Sequence, residues 1–244
     1  MKFIADTHTH TLVCGHAYST LEENIRAAKR AGLKFLCYTE HAPKLLGAPE
    51  EIFFKNMKVL PDIIDDIAVL KGCEVNILNM NGEIDMPDKT LEKLDWVIAS
   101  MHTPCLEPST IEKHTEAWLT IAKNPHIDVI GHCGNEQYRF DYEKGIKAFK
   151  ENGKIVELNN ASFLNRIGSK ENCCEIAKLC KKYEVPVVVS SDAHFSGLIG
   201  KFPFVEKMLE EISFPEHLVL NADFERFKQV VCAKTNGKYS DFNI

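Results

Sequence analysis

Apolar residues return along this chain in two alternating rhythms. Short runs with the β-branched and aromatic bias of strands, such as 96–101 and 185–190, are followed by stretches where apolar positions recur at helical spacing. The pattern predicts strands over 3–10, 34–39, 69–75, 96–101, 127–131, 154–158 and 185–190. Helices are predicted between them. The first opens on two overlapping capping boxes in Ser19-Thr20-Leu21-Glu22-Glu23 and stops at Gly32; a second runs from about Lys55 to Leu70; a third spans 109–124 with Ser109 and Glu112 as its cap. Others cover 141–152, 169–183, about 204–212 and 223–234, while 76–93 reads as irregular around Gly82 and Pro87. Such alternation predicts one domain over 1–244 with a parallel sheet, whose functional groups gather at the C-terminal strand ends. Seven units instead of eight suggest a distorted barrel, and an open sheet stays compatible with the pattern.

The strand ends carry a shared chemistry. The first strand ends in Asp6-Thr7-His8-Thr9-His10, with His16 in the loop beyond, and a period of two turns Asp6, His8 and His10 to one face. Later ends supply His41, Glu74, His102, His132, and the pair Asp192 and His194. Core histidines scattered at random would not keep to one end of the sheet. His114, His126 and His217 fall in helices or loops and read as ordinary surface residues.

Composition narrows the function classes. At 244 residues, 45% hydrophobic and 26% charged, the chain reads as a globular α/β protein and not as a disordered one. A net charge of −6, with no Lys/Arg run interleaved with aromatics, gives no nucleic-acid footprint. No stretch approaches the roughly 18 apolar residues of a membrane span, and Asp6 precedes any signal-like region, so a cytoplasmic location is expected. Nine cysteines without a Cys-x-x-Cys pair argue for reduced thiols. Cys173, Ile176, Ala177 and Cys180 share a helix face and read as packing, and strand alternation sends Cys73 and Cys133 away from the neighbouring candidate ligands.

The order His-x-His, His, Glu-His, Glu, His, His, Asp-x-His resembles the PHP (polymerase and histidinol phosphatase) family from end to end, most closely its YcdX-like phosphatase branch. The stretches that carry the likeness are Asp6 to His10, His16 to Thr20, Thr39 to Pro43, Gly72 to Ile77, Ala99 to His102, Ile130 to His132, Glu157 to Phe163 and Ser190 to His194. No ligand position of the pattern is missing. The resemblance implies a distorted (β/α)7 TIM-like barrel and three divalent metal ions. One ion would take His8, His10, Glu74 and Asp192; a second, Glu74, His102 and His132; the third, His16, His41 and His194. Imidazole and carboxylate donors without thiolate favour Zn2+, with Mn2+ or Fe2+ as alternatives.

Three divalent ions against the charges of Glu74 and Asp192 leave about +4, which suits a phosphate monoester dianion attacked by metal-activated water. Glu74, Asp192 and His194 are the expected catalytic centre. The sixth strand ends without a ligand, so Asn160, Ser162 and Arg166 beyond it are expected to read the substrate, Arg166 through its planar fork. Asp6 is expected either to orient an imidazole or to cap a strand end. The expected partner is a small phosphorylated substrate, with no nucleic acid and no membrane, and a homo-oligomer is compatible with the sequence. Rival readings are a dedicated histidinol-phosphate phosphatase, an amidohydrolase-like C–N hydrolase, and a non-catalytic metal-binding module.

Overall fold

Strands and helices alternate as the apolar rhythm predicts. The computed structural model describes residues 1–243. Its strands are β1 (Ala5–Thr9), β2 (Phe35–His41), β3 (Ile63–Ile64), β4 (Ile67–Asn76), β5 (Trp96–Ser100), β6 (Val129–Ile130), β7 (Ile155–Asn159) and β8 (Val187–Ser190). All but β3 pair in parallel in the order β1-β2-β4-β5-β6-β7-β8. The helices are α1 (Leu21–Arg30), α2 (Glu51–Asn56), α3 (Asp88–Leu91), α4 (Ile111–Lys123), α5 (Tyr142–Glu151), α6 (Ser162–Asn165), α7 (Ser169–Tyr183), α8 (Pro203–Glu211) and α9 (Phe224–Lys234).

The helix expected over Lys55 to Leu70 is not formed. Helix α2 ends at Asn56, and β3 folds back on β4 through Asp65 and Asp66, whose φ values of 50° and 64° make the two-residue turn of a tight hairpin. Asp tolerates this left-handed backbone better than most residues, so the Asp-Asp pair outweighs the apolar periodicity around it. The cap of α4 is Thr110, which accepts from Lys113 N, and not Ser109. For α1 only the Thr20–Glu23 box forms. Ser19 instead accepts a hydrogen bond from Ser196 N, tying this turn to the loop after β8.

Alternation along the strands sorts the core into two parts. Outward residues such as Leu36, Val69, Val97, Ile130, Val156 and Val189 pack under the helices. Inward residues at the N-terminal half, including Phe35, Leu70, Trp96, Val129 and Val188, form an apolar plug that α9 and the tail close with Phe224, Phe227, Tyr239 and Phe242. Beyond that plug the inward positions become polar. Water is therefore kept from one end of the barrel only.

The sheet curls until β1 and β8 nearly meet. At the top of this seam His10 N donates to Ala193 O at 2.9 Å. Lower down, the buried Asn221 replaces the missing ladder. Its amide donates to Ala5 O at 2.9 Å and Val189 O at 2.8 Å, and its carbonyl oxygen accepts from Val189 N at 3.0 Å.

Candidate metal centre

Glu74 is the hub. It leaves β4 toward the barrel axis, is fully buried, and meets imidazoles from four other strands or strand ends. Its Oε1 lies 2.8 Å from His132 Nε2 and 3.3 Å from His102 Nε2. Its Oε2 lies 2.7 Å from His41 Nδ1, 3.2 Å from His8 Nε2 and 3.6 Å from His10 Nε2. Asp192 closes the other side, with Oδ1 at 3.3 Å from His10 Nε2 and 3.7 Å from His8 Nε2. Toward solvent, His16 Nε2 stands 3.0 Å from His194 Nε2, and His41 completes that trio.

These side chains grade from floor to mouth: His8, His10 and Glu74 are fully buried, His102 and His194 are partly open, and His16 is exposed. Three groups, His8/His10/Glu74, His41/Glu74/His102 and His16/His41/His194, each bring donor atoms within 4.8 Å of one another. Donors about 2.0–2.1 Å from a tetrahedral zinc stand roughly 3.4 Å apart, and the spacings above fit that. Buried atoms also lack partners among the described residues: His8 Nε2, both nitrogens of His10, His41 Nδ1 and Glu74 Oε2 make no hydrogen bond. Buried polar atoms are rarely left so, and divalent ions would satisfy those that face Glu74, while His10 Nδ1 faces Glu40 on the other side of the ring.

The imidazoles are held from behind. His8 Nδ1 donates to Glu157 at 2.7 Å, His102 Nδ1 to Asn76 at 2.7 Å, and His16 and His194 Nδ1 to the carbonyls of Cys14 and Asp192, both at 3.0 Å. Each bond leaves the Nε2 lone pair turned into the centre, the tautomer a metal ligand needs. Asp85 in turn accepts from the Asn76 amide, at 2.6 Å, so the His102 support is a relay. Asp192 is anchored through Oδ2 by Asn159 at 3.1 Å and Arg166 at 3.3 Å, which leaves Oδ1 facing the histidines. Two of these residues sit on strained backbone, His132 at φ 23° and Asp192 at φ 53°. His132 is out of phase with the inward positions of β6, and its N–H, held by Glu157 at 2.6 Å, fixes the bend that brings its ring inside.

Charge in the metal-free centre is divided unevenly. Burial opposes ionisation of Glu74, yet His8, His102 and His41 outweigh it and hold this carboxyl well below the usual range; Asp192 is held down in the same way by His8 and His10. Burial likewise opposes protonation of His8, but the carboxylates of Glu74, Glu157 and Asp192 prevail and raise its pKa well above the ordinary value. His10 is raised to about 9 against its burial, chiefly by the neighbouring carboxylates of Asp192 and Glu40. Burial and the nearby His10 push His194 down to about 4.

All nine residues proposed from the strand ends therefore converge on one pocket. The loop after β7 behaves differently from its sequence reading. Only Arg166 of the expected substrate readers turns toward the centre, donating to Ser162 Oγ at 3.0 Å as well as to Asp192. Asn160 is used elsewhere: its oxygen accepts from Phe204 N and Val205 N and so caps α8, which has no cap of its own. Ser162 is buried and bonds Asn159 and Arg166. The Ser162 hydroxyl is thus engaged, while the Asn160 amide nitrogen makes no hydrogen bond among the described residues. Asp6 also leaves the face of His8, because β1 slips register between Asp6 and Thr9; its carboxylate accepts from Ser191 N at 3.0 Å and Gly200 N at 2.9 Å. It anchors the loop that carries Asp192 and touches no imidazole. His114 is buried, not on the surface, with Nδ1 bonded to Arg139 O and Nε2 to Ser109 N, on the inner face of α4.

Glu157 is not among the residues expected from the strand ends, because it lies inside the sixth strand and not at its end. The signal was present: a lone carboxylate in an apolar strand, two positions before the strand end. Glu157→Gln keeps the shape but weakens the charged bond to His8, and is expected to lower metal affinity about 10- to 100-fold, measured by competition with a chromophoric chelator. Cys14 was not expected here either; its thiol lies within 4.8 Å of nitrogens on His10 and His194. Burial and the Glu40 carboxylate push that thiol up to about 12, so it stays protonated.

Comparisons with known proteins agree with this geometry. Residues 6–161 match the model of the PHP domain. A probable phosphatase of Acetivibrio thermocellus is 47% identical over 234 residues, covering 96% of this chain and 97% of that protein. One from Thermoanaerobacter sp. is 48% identical, covering 96% of each. Among solved structures, histidinol phosphate phosphatase from Lactococcus lactis, complexed with zinc, L-histidinol and phosphate, superposes with a TM-score of 0.63 at 16% identity over 88% of this chain and 95% of that one. That likeness extends the barrel assignment to nearly the whole chain. With a domain match over most of its length and full-length relatives well above the identity at which family is in doubt, the chain belongs to the PHP domain family.

Proposed function

We propose that this single domain is a metal-dependent phosphatase that hydrolyses a small phosphate monoester. The observation that carries the reading is the set of partnerless buried nitrogens and oxygen around Glu74, in a family whose close relatives are called probable phosphatases. His8, His10, Glu74 and Asp192 would hold one divalent ion, Glu74, His102 and His132 a second, and His16, His41 and His194 a third. Zinc suits this nitrogen-rich donor set, with manganese or iron as alternatives. Ions held there lower the pKa of water toward neutrality and clamp phosphoryl oxygens.

The protein's own groups do the rest. Glu74 has two oxygens, each facing a different group of imidazoles, and so would serve two ions at once. Asp192 and Glu157 fix the orientation of His10, His8 and His132. Arg166, at the edge of the pocket, is tied to Asp192 and Ser162 on one side and keeps further N–H groups for a phosphoryl oxygen. The exposed His16 marks the entry side. Arg166→Ala is expected to raise KM about tenfold or more with metal content unchanged, read by steady-state kinetics and elemental analysis.

The direct test measures bound metal, then turns metal-loaded and chelated protein over a panel of phosphomonoesters, phosphodiesters and amides. Phosphomonoester turnover lost on chelation is expected. Amide turnover alone would establish the amidohydrolase-like reading, and full metal with no turnover the non-catalytic one.

Metal loading should also release protons. His8 and His10 are protonated at pH 7 in the empty centre and must become neutral to coordinate. Proton release is expected at pH 7, with the His10 share fading as pH passes about 9, measured calorimetrically in buffers of different ionisation enthalpy. The sign also sets stability: because both pKa values are raised on folding, the metal-free protein gains from these groups below pH 6.5 and loses that gain as pH rises, the His10 part by about pH 9.

A further inference from the structure

A cavity of about 440 Å³ opens on the outer wall of the barrel, beside the hairpin of β3 and β4. Its apolar wall is Phe54 and Met57, both buried. Everything else lining it is charged, and almost all of that is lysine: Lys55, Lys58, Lys71, Lys93 and Lys238 against Asp62 alone.

The pairings leave this cavity electropositive. Lys71 is buried, its side chain 7% exposed, and its ammonium meets one oxygen of Asp62 at 2.5 Å, so two of its three N–H donors have no partner among the described residues. Lys238 shares that oxygen at 2.8 Å and also pairs with Asp95 at 2.9 Å. Lys55 pairs with Glu51 at 2.8 Å. Lys58 and Lys93 make no ion pair among the described residues, although both line the same space. Five ammonium groups less Asp62, Asp95 and Glu51 leave a net charge of +2.

A buried lysine with open donors is costly unless something accepts from it. Lysine clusters of this kind neutralise compact oxyanions as point charges, phosphate above all. The volume lies in the range of small-molecule pockets and exceeds what one inorganic ion fills, which leaves room for an organic body against Phe54 and Met57. We propose that this cavity binds a phosphate-class dianion carried on a small organic body, at a site separate from the metal centre. Lys71 and Glu74 leave opposite faces of β4, one outward into the lysine cavity and one inward to the hub. The two sites share a strand but no side chain.

The test compares the metal-loaded protein with its Lys58→Glu/Lys93→Glu variant, both exposed positions outside the catalytic machinery. Propylphosphonate, which cannot be hydrolysed as an ester, is titrated calorimetrically, and turnover of p-nitrophenyl phosphate is followed in parallel. Two binding events are expected for the parent chain, one of them weakened at least tenfold in the variant, with turnover unchanged within twofold. Identical isotherms for the two proteins would overturn the proposal. Phosphatidic acid vesicles form the other arm: co-sedimentation that the variant loses, without propylphosphonate binding, would assign the charge to a lipid surface and likewise overturn it.

Discussion

Replacing Glu74 by Gln should abolish catalysis at nearly unchanged fold: turnover of a phosphate monoester is expected to fall at least about 10³-fold, equivalent to about 4 kcal/mol of transition-state stabilisation. The amide has the size of the carboxylate but one oxygen in place of two, and its nitrogen cannot accept a metal. Nitrogens of His8, His10, His41, His102 and His132 all lie within 3.6 Å of the Glu74 oxygens. No other side chain among the described residues has that reach. Metal content should fall as well, since five of the donor histidines face Glu74. A variant that keeps both its full metal content and a rate within tenfold of the parent would remove Glu74 from the hub.

The second large effect is one of stability and lies at the seam. Asn221→Leu preserves volume but removes three hydrogen bonds and leaves Val189 N and Ala5 O unpaired in the buried seam, while Val189 O keeps only the longer bond from Thr7 Oγ1 at 3.3 Å. An unsatisfied buried group costs about 1–3 kcal/mol, so the substitution should destabilise the protein by about 3 kcal/mol or more. For a chain of this size that lowers Tm by roughly 10 °C. Thermal unfolding should be compared in chelated and metal-loaded protein, because bound metal adds its own stabilisation. A shift of less than about 2 °C in the chelated protein would mean that the seam is held by β1 and β8 without the asparagine.

The strands were legible because each is a short apolar run whose ends are punctuated, and the candidate ligands because they repeat at those ends. His8, His41, Glu74, His102 and Asp192 could be chosen one strand at a time. Asp65-Asp66 was hidden inside an apolar stretch that also fits a helix, and only the partner strand decides for the hairpin. Asn160 reads as well as a substrate group as it does as a cap, since the helix it serves begins 43 residues later at Pro203. Asp6 follows His8 in period, and one slip of register sends it to the opposite side.

Residue type and spacing alone settled the alternation of strand and helix, the end of the sheet where the chemistry lies, and the kinds of donor gathered there. These are local properties, governed by the period of two, the 3.6-residue turn and the ligand preferences of nitrogen and oxygen. How closely the donors approach one another around Glu74, that Glu157 sets the ring of His8, and that Asn221 closes the barrel were decided by tertiary structure. Each depends on distances between strands far apart in the chain, and those are set by register, twist and closure of the whole sheet.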